Sequence, residues 1–413
     1  MKIKLSARAP KAAVRVKFDS RAKTSYLEKT ASGMVLRLKT PPKKKISSRR
    51  RLLLWREAVR TLRKSEISEV VFLWSDLLDF LAPEESPENL GKIFARNAHL
   101  AAYDFDRYRP KKSAGRLKEI TVVFEKKTLS RSLRAAFAEG EKIAAAVNLA
   151  RDLANTPGSD MPPKVFVREA RGVFRSRPVK VRVLTEKQMK KLGMNGVLAV
   201  GRGSAQESLF LVLEYRVAGA KKRPLVLVGK GVTFDSGGID TKPHPHGCEM
   251  MMDMSGAAAV LATLVAAADL GLRKNLVGLI PLVENMPDGS AMKPGDIIKM
   301  MDGTTVEVGH TDAEGRIILA DALAYAKRYR PHTLIDVATL TGAAVVALGE
   351  RAGAVFSDDD DLAQAVIDAG ENNGEYLWRL PLWEEYEADI KGSRGQISNI
   401  NTVKPGAGGA ITA

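Results

Sequence analysis

The sequence is poor in cysteine and in long apolar runs, and each shortage excludes a class of protein. Its 413 residues include one cysteine, Cys248, so no disulfide bond can form within the chain and a reducing compartment is expected. No apolar run reaches the ~20 residues that a membrane-spanning helix needs. The basic start, Met1 to Phe18, lacks the apolar stretch of a signal peptide. We therefore expect a cytoplasmic protein with no membrane partner.

Histidines are few and one glycine motif is incomplete, which weighs against a serine-protease site and against a dinucleotide-binding site. Asp235-Ser-Gly-Gly is similar to the nucleophile segment of trypsin-like serine proteases, but that chemistry needs a histidine base, and the chain has only five histidines. The alternation of helices and strands also differs from that two-barrel fold. The segment from Gly201 to Gly203 lacks the third glycine of a dinucleotide-binding loop and gives little support for such a cofactor.

Acidic residues are too few to balance the basic ones, and the net charge is +17. A basic balance raises the affinity for nucleic acid and anionic surfaces but says nothing about the fold. Ten Lys or Arg and one Glu lie between Pro41 and Lys64. This cluster is either the solvated face of a surface helix or a patch for nucleic acid or membrane. No exposed aromatic residues are interleaved with it, so we favour the solvated face. A non-catalytic protein that binds nucleic acid through this region remains the alternative function.

The length and the 45% hydrophobic content predict two domains with a sizeable core. We expect a small N-terminal α/β domain over residues 1–138. Its predicted strands are 13–18, 34–38, 70–74 and 120–124, and its predicted helices are 48–64 and 83–96. A long helix over 130–154 would connect it to a second domain over residues 139–413.

The second domain alternates helices and strands, which predicts an α/β fold with a mostly parallel (mixed) sheet sandwiched by helices. The predicted strands are 179–184, 196–200, 209–215, 225–228, 276–283 and 333–337, and the predicted helices are 163–175, 186–192, 256–270 and 318–328. In such sheets, ligands bind beyond the carboxyl ends of the strands.

Charged side chains follow the apolar runs of this domain in glycine-rich turns. They are Lys230, Asp235, Lys242, Asp253, Asp312, Glu314 and Arg316. Several carboxylates with a single nitrogen donor suit a pair of divalent cations, because a carboxylate can bridge two metals. Each residue alone has a simpler interpretation: Asp253 could cap the helix that follows it, and Lys230 could be solvated. Together they favour a shared site in a two-metal hydrolase.

Several long motifs occur in an order that closely resembles the leucyl aminopeptidase (cytosol aminopeptidase) family, over roughly residues 148–413. The motifs span residues 148–157, 229–238, 283–287, 311–316, 319–323 and 336–342. The resemblance implies the removal of N-terminal residues from peptides by a homohexamer that uses two Zn²⁺ or Mn²⁺ ions. In the first 138 residues, the match is only that of a separate α/β unit.

The resemblance also implies a role for each site residue. Asp235 and Glu314 would bridge both metals, Asp312 would complete one site, and Lys230 and Asp253 would complete the other. As a ligand, Lys230 must be neutral, and nearby cations and burial can lower the pKa of a lysine enough. Lys242 would polarise the scissile carbonyl, and Arg316 would hold a bicarbonate that acts as the general base. Met250 and Leu340 would line the pocket for an apolar first side chain.

Three features depart from the family pattern. His310 stands where the family usually has Asn, and it could contact the metal loop or make a simple loop hydrogen bond. His244, His246 and Cys248 could capture stray metal. The chain ends at Ala413, where the family continues with a helix and further sheet residues. We therefore expect the catalytic domain to be C-terminally incomplete relative to the family, with an open side-chain pocket and impaired assembly.

Overall fold

The computed structural model describes residues 1–10, 13–30, 33–40, 48–65, 67–81, 86–110, 117–125, 128–220 and 223–413. The chain divides into two compact units. The first comprises residues 1–148 with 372–374, and the second comprises residues 149–371 with 375–413. The predicted boundary at residue 138 falls inside one helix, Arg131–Asn155. The basic stretch 41–47 lies outside the described residues.

The N-terminal unit is built on a six-stranded sheet of order β1-β6-β5-β2-β4-β3. Its strands are β1 (Lys2–Ser6), β2 (Val14–Asp19), β3 (Tyr26–Thr30), β4 (Gly33–Lys39), β5 (Glu69–Leu73) and β6 (Glu119–Val123). All neighbours pair in parallel except β3 and β4. Its helices are α1 (Ser48–Lys64), α2 (Trp74–Leu81), α3 (Pro87–Ala101) and α4 (Arg131–Asn155), the last of which continues into the second unit.

Aromatic side chains fill the core between this sheet and its helices. Trp55 of α1 packs against Phe72 of β5 and Phe94 of α3, with ring centroids 5.0 Å and 4.5 Å away. All three side chains are fully buried. The apolar spacing that predicted a helix over 48–64 therefore marks the face of α1 that packs on the sheet.

The second unit contains a six-stranded mixed sheet of order β14-β9-β11-β8-β7, with β10 also paired to β11. The strands of this unit are β7 (Val179–Leu184), β8 (Leu209–Tyr215), β9 (Leu225–Gly229), β10 (Gly231–Asp235), β11 (Leu276–Asn285), β12 (Ile297–Lys299), β13 (Thr305–Glu307), β14 (Thr333–Val337), β15 (Ala352–Val355), β16 (Tyr376–Arg379) and β17 (Ile397–Ser398). Its helices are α5 (Pro163–Phe174), α6 (Glu186–Leu192), α7 (Asn195–Gly201), α8 (Ser255–Leu270), α9 (Gly315–Ala326), α10 (Gly342–Leu348), α11 (Asp360–Asn373) and α12 (Gly409–Thr412). Strands β9, β10, β11 and β14 are parallel, and β8 is antiparallel to both of its neighbours.

Helices cover both faces of the central strands. Val260 and Leu264 of α8 approach Gly278 of β11, whereas Ile318 of α9 belongs to the core on the other face, with Val228 of β9. Strands covered on both faces are apolar throughout, which explains the continuous apolar runs of β9 and β11. The predicted α/β fold, with a mixed sheet sandwiched by helices, is confirmed.

One predicted strand is wrong. Residues 196–200 form helix α7 rather than a strand, because a short buried apolar run does not distinguish the two structures. The carboxylate of Asp321 on α9 fixes this helix, since its Oδ2 accepts a hydrogen bond from the backbone N–H of Val197 at 3.1 Å.

The region His246–Leu270, which ends in α8, is long and apolar enough to cross a membrane by length and composition. Most of it is buried inside the protein, and the core helices of many proteins pass the same test. Its apolar character is accounted for by its packing on the central sheet.

Candidate active site

Four carboxylates and two lysines meet at the carboxyl edge of the central strands. Lys230 lies between β9 and β10, Asp235 ends β10, Lys242 lies in the following loop, Asp253 precedes α8, and Asp312 and Glu314 precede α9. Parallel strands bring their carboxyl ends to one edge of the sheet, so residues up to 84 positions apart in the sequence are neighbours here.

Lys230 is enclosed by two of these carboxylates. Its Nζ lies 2.8 Å from Asp253 Oδ2 and 2.8 Å from Glu314 Oε1. The ammonium also donates a hydrogen bond to the backbone carbonyl of Thr339 at 3.0 Å. Lys230 is only 2% exposed, so its charge is stabilised almost entirely by these groups rather than by water.

Lys242 contacts the other two carboxylates from a more open position. Its Nζ lies 2.7 Å from Asp235 Oδ2 and also contacts Asp312 Oδ1. The side chain of Lys242 is 14% exposed, against 3% for Lys230. The loop that carries Lys242 turns back on itself through Gly237 and Gly238, both with positive φ, which allows the close approach.

The carboxylate oxygens are close enough to share a cation. One oxygen each from Asp235, Asp312 and Glu314 lie within 4.8 Å of one another. Glu314 Oε2 is buried and finds no hydrogen-bond donor among the residues that the structure describes. Because four carboxylates outnumber the two lysines, the site carries excess negative charge. An orphaned carboxylate oxygen in such surroundings fits hard divalent cations, which prefer oxygen ligands.

The electrostatics of the site favour a protonated Lys230 when only protein groups surround it. Burial alone would lower the pKa of Lys230, but Glu314 and Asp253 outweigh it and raise the pKa. Burial raises the pKa of Glu314 and of Asp253, against the opposing effect of Lys230. The neutral Lys230 expected of a metal ligand is therefore not the form that these protein groups favour. A cation on the same carboxylates would replace the positive charge of the ammonium.

The pKa values of Asp312 and Lys242 also depend on a competition between burial and neighbouring charges, with smaller shifts than at Lys230 and Glu314. Burial raises the pKa of Asp312, and its contact with Lys242 opposes this shift. Burial would lower the pKa of Lys242, but Asp235 and Asp312 raise it. A protonated Lys242 is therefore favoured when only these protein groups surround it.

Three residues that the sequence analysis did not single out hold the charged groups in place. Asn285, at the end of β11, donates through Nδ2 to Asp235 Oδ1 at 2.9 Å. Thr339 donates through Oγ1 to Asp253 Oδ1 at 2.7 Å. Asn399 donates through Nδ2 to the carbonyl of His310 at 2.7 Å and accepts from the N–H of Gly309 at 2.7 Å. Asn285 follows an apolar run just as Asp235 does. The rule that sites lie beyond the carboxyl ends of strands would therefore also have identified Asn285 as a candidate site residue.

Asp253 does not cap α8. The N-cap residue of that helix is Met254, without a side-chain cap, and the carboxylate of Asp253 turns to Lys230 and Thr339 instead. The interpretation of Asp253 as a simple helix cap is therefore wrong. Its role as a metal ligand stays a prediction.

Arg316 directs its hydrogen bonds away from the carboxylates. Its Nη1 donates to the carbonyls of Asn399 at 2.7 Å and Thr412 at 3.4 Å. Its Nε is buried and lacks a partner among the described residues. The guanidinium thus ties α9 to the C-terminal segment and keeps one N–H available for a further acceptor.

The two predicted pocket residues lie near the charged groups, Met250 in the sequence and Leu340 in space. Met250 is half-buried in the 3₁₀ turn His246–Met252 that precedes Asp253. Leu340 is half-buried, and a Cβ added at Gly315 would lie 2.9 Å from its Cδ1 and 2.6 Å from Cε of Lys230. Gly315 therefore leaves the room that both side chains occupy. Contact of Met250 and Leu340 with a substrate stays a prediction.

His310 and Ser236 contact groups of the surrounding loops, and His310 Nδ1 also lies 3.6 Å from Asp240 Oδ2. His310 Nδ1 accepts a hydrogen bond from the N–H of Asp312 at 3.1 Å, which is the simpler loop contact of the two alternatives. His244, His246 and Cys248 are all exposed, and within the described part of the chain they belong to no group of three or more ligand atoms close enough to hold a metal ion. Ser236 Oγ donates to the carbonyl of Asn285 at 2.7 Å, which is not the geometry of an activated nucleophile.

Comparison with known proteins identifies the family to which this chain belongs. Residues 148–413 match the model of the cytosol aminopeptidase family, catalytic domain. The chain belongs to the cytosol aminopeptidase family.

Curated relatives extend the match beyond the catalytic domain. The chain is 47% identical over 320 residues to a probable cytosol aminopeptidase of a Geobacter species, covering 76% of this chain and 64% of the relative. It is 39% identical over 375 residues to a probable cytosol aminopeptidase of Nitrosococcus oceani, covering 90% of this chain and 74% of the relative. The chain thus spans about two thirds to three quarters of the length of these relatives.

Solved structures have the same architecture. A tomato leucine aminopeptidase mutant superposes with a TM-score of 0.86 at 28% identity, covering 100% of this chain and 88% of that one. The bottromycin maturation enzyme BotP in complex with Mn superposes with a TM-score of 0.82 at 34% identity, covering 95% and 86%. These comparisons give no support to the alternative of a non-catalytic nucleic-acid-binding protein.

Proposed function

We propose that this chain is a cytoplasmic metal-dependent aminopeptidase that hydrolyses N-terminal, preferably apolar, residues from peptides. The observation that carries the proposal is the carboxylate cluster of Asp235, Asp312 and Glu314, of which Asp235 and Glu314 are buried, with one orphaned oxygen and two flanking lysines. Membership of the cytosol aminopeptidase family supports it. The structure of BotP in complex with Mn supports a divalent cation at the corresponding site of this chain.

The residues would divide between two divalent cations, Mn²⁺ or Zn²⁺. Asp235 and Glu314 would bridge the two ions, Asp312 would complete the first site, and Lys230 and Asp253 would complete the second. Such a pair, when bound, supplies a nucleophile from water at neutral pH and stabilises charge on the reacting oxygen atoms. Asn285 and Thr339 would keep two of the carboxylates in fixed orientations through the hydrogen bonds described above.

The remaining groups would act on the substrate and on protons. Lys242 would place its ammonium beside the scissile carbonyl oxygen and offset the negative charge that develops there. The Arg316 guanidinium would hold an acceptor anion, for which bicarbonate is the candidate, and such an anion, when bound, would supply a general base. Met250 and Leu340 would contact the first side chain. We also propose that the active form is a homohexamer, which light scattering of the purified protein would test.

Hydrolysis of a leucyl amide by the purified chain tests the proposal directly. We expect release of leucine that needs Mn²⁺ or Zn²⁺, stops on chelation, and is lost in Asp312→Ala. The matched control is Asp302→Ala, which removes an acidic residue outside the carboxylate group and should leave the activity unchanged. Metal analysis of both variants should show a lower content only in Asp312→Ala. Absence of activity with every divalent cation tried, or equal activity in both variants, would refute the proposal.

A further inference from the structure

Thr311 lies between the two loops that carry charged groups of the active site. One is the loop 236–245, which contains Lys242, and the other is the loop 308–314, which contains Asp312. Thr311 is fully buried, although its side chain carries a polar hydroxyl. Because buried hydroxyls need hydrogen-bond partners, the partners of Thr311 identify the contacts that hold this residue in place.

The hydroxyl and the backbone N–H of Thr311 both bond to the loop 236–245. Its Oγ1 donates to the carbonyl of Gly237 at 2.6 Å and accepts from the N–H of Asp240 at 2.8 Å. The backbone N–H of Thr311 donates to Asp240 Oδ2 at 2.7 Å. The hydroxyl thus uses both its donor and an acceptor lone pair, and a methyl group in its place could form neither bond.

Two short hydrogen-bonded paths connect Thr311 with the carboxylate of Asp235. The N–H of Gly237, whose carbonyl accepts from Thr311, donates to Asp235 Oδ1 at 3.0 Å. Asn285 Nδ2 donates both to the same Asp235 oxygen at 2.9 Å and to the carbonyl of Thr311 at 3.1 Å. Asp312 is the residue after Thr311 in the chain. The position of Asp312 relative to Asp235 is therefore fixed through Thr311.

The contact between Lys230 and Asp253 is built differently. Lys230 Nζ lies 2.8 Å from Asp253 Oδ2, and both residues come from segments other than the two loops. A change to the hydroxyl of Thr311 should therefore alter the side of the site with Asp312 more than the side with Lys230.

We propose that Thr311 is a positioning residue that sets the spacing of Asp235 and Asp312 and thereby the affinity of the first cation site. The inference rests on the proposed function, because that function assigns these two carboxylates to the first cation. It goes further in that the two cations differ in their dependence on a single hydroxyl. Residues that orient metal-binding side chains typically change the metal affinity by about 10–100-fold when they are replaced.

Calorimetric titration of the metal-free full chain with Mn²⁺ tests the proposal. Thr311→Val keeps the shape of the side chain and removes the hydroxyl, so we expect one of two cations to bind about 10–100-fold more weakly. Thr311→Ser keeps the hydroxyl and should bind both cations within about three-fold of the wild type. In Asp312→Ala, which lacks the first site, adding Thr311→Val should leave the affinity of the remaining cation unchanged.

Thr233→Val is the matched control. Thr233 is also fully buried, and its hydroxyl donates to the carbonyl of Val283 at 3.2 Å, between two strands rather than between the two loops. We expect both cation affinities of Thr233→Val to stay within about two-fold of the wild type, because this hydroxyl orients no proposed ligand.

A second pair of variants decides the question if Thr311→Val does not fold, which circular dichroism of the metal-free samples shows. Asp240→Ala and Asp240→Asn lose the same charge, but only the asparagine keeps an oxygen that can accept from the N–H of Thr311. We expect Asp240→Ala to weaken one cation more than Asp240→Asn does. Equal cation affinities in these two variants would overturn the proposal.

Three results with a folded Thr311→Val would also overturn the proposal: both cations bound as in the wild type, both weakened equally, or Thr311→Ser weakened to the same extent. Failure of the proposed function gives a different result. A wild type that binds two cations but hydrolyses no leucyl amide would refute the aminopeptidase, and the affinities of Thr311→Val and Thr311→Ser would still decide the role of this hydroxyl. A wild type that binds no divalent cation would overturn both.

Discussion

Lys230 and Lys242 each contact two carboxylates of one site, but the surroundings of the two lysines differ. Lys230 lies at the junction of two central strands and is enclosed by Asp253, Glu314 and the carbonyl of Thr339. Lys242 lies in a loop after β10 and keeps part of its surface open. The first lysine belongs to the folded framework, whereas the second faces the space from which a substrate would arrive. We therefore expect removal of the first lysine to affect stability most and removal of the second to affect turnover most.

Removal of Lys230 is the change that we expect to cost most. Lys230→Ala leaves Glu314 and Asp253 buried without their cation, and breaking a buried pair in this way costs about 3–5 kcal/mol. The melting temperature without added metal should fall by roughly 6–20 °C, at about 2–4 °C for each kcal/mol. Thermal unfolding followed by circular dichroism measures this. Lys29→Ala, at an exposed position, should unfold like the wild type. A Lys230→Ala variant as stable as the wild type would remove the distinction between the two lysines.

Removal of Lys242 should affect turnover more than stability. Lys242→Ala should lower kcat about 10²–10³-fold, the usual cost of losing one group that stabilises a developing oxyanion. Its melting temperature should change much less than that of Lys230→Ala, because Lys242 itself and one of its partners, Asp312, are nearer to solvent. Kinetics with a leucyl amide, together with unfolding of the same samples, give both values. Lys242→Arg, which keeps the charge, is the comparison variant, and we expect it to retain part of the activity. An unchanged kcat in Lys242→Ala would contradict the role in catalysis.

Asp321 can be compared with the carboxylates that contact the two lysines, because it is a buried carboxylate whose hydrogen-bond partners are backbone amides rather than a cation. Its two oxygens accept from the N–H groups of Val197 at 3.1 Å and Met301 at 2.9 Å. In Asp321→Asn, one of these N–H groups faces an amide donor, so we expect the free energy of unfolding to fall by about 1–3 kcal/mol. Urea unfolding measures this loss, and Asp302→Asn, in the neighbouring turn, is the control. No loss in Asp321→Asn would mean that α7 does not depend on this carboxylate.

We also expect Asp321 to make the free energy of unfolding depend on pH, with a smaller effect than the substitution above. Burial raises the pKa of Asp321 to about 6 in the folded chain, above the ordinary value of 3.8. The folded state therefore holds the proton more tightly than the unfolded state, and ionisation of Asp321 opposes folding. The stability that the wild type has over Asp321→Asn should decrease as the pH rises from about 4 to 7. Urea unfolding of both proteins across this range measures the difference, and an increase with pH would contradict the assigned direction.

Sequence patterns predicted much of this fold because most of its elements have a clear period. The predicted helix over 48–64 has the same bounds in the structure, and the apolar run at 225–228 is a strand covered on both faces. The run at 196–200 was misassigned because its conformation depends on a carboxylate more than a hundred residues later. No local pattern encodes such a contact.

The charged residues of the site could be found because they follow apolar runs in glycine-rich turns. Their neutral supports were missed, because an asparagine such as Asn399 or a threonine such as Thr339 carries no signal that separates it from an ordinary loop residue. The pairing of the lysines was not predictable either. Which carboxylates each lysine contacts depends on the junction of β9 and β10 and on the loop that returns through Gly237.

The space that Gly315 leaves for Lys230 and Leu340 limits which residues this position can hold. Every single-base change in a glycine codon that yields another amino acid introduces a Cβ, and here that atom would lie 2.6 Å from Cε of Lys230. Any amino-acid substitution at this position therefore requires the side chain of Lys230 to move. A residue without a side chain thus preserves the positions of its neighbours.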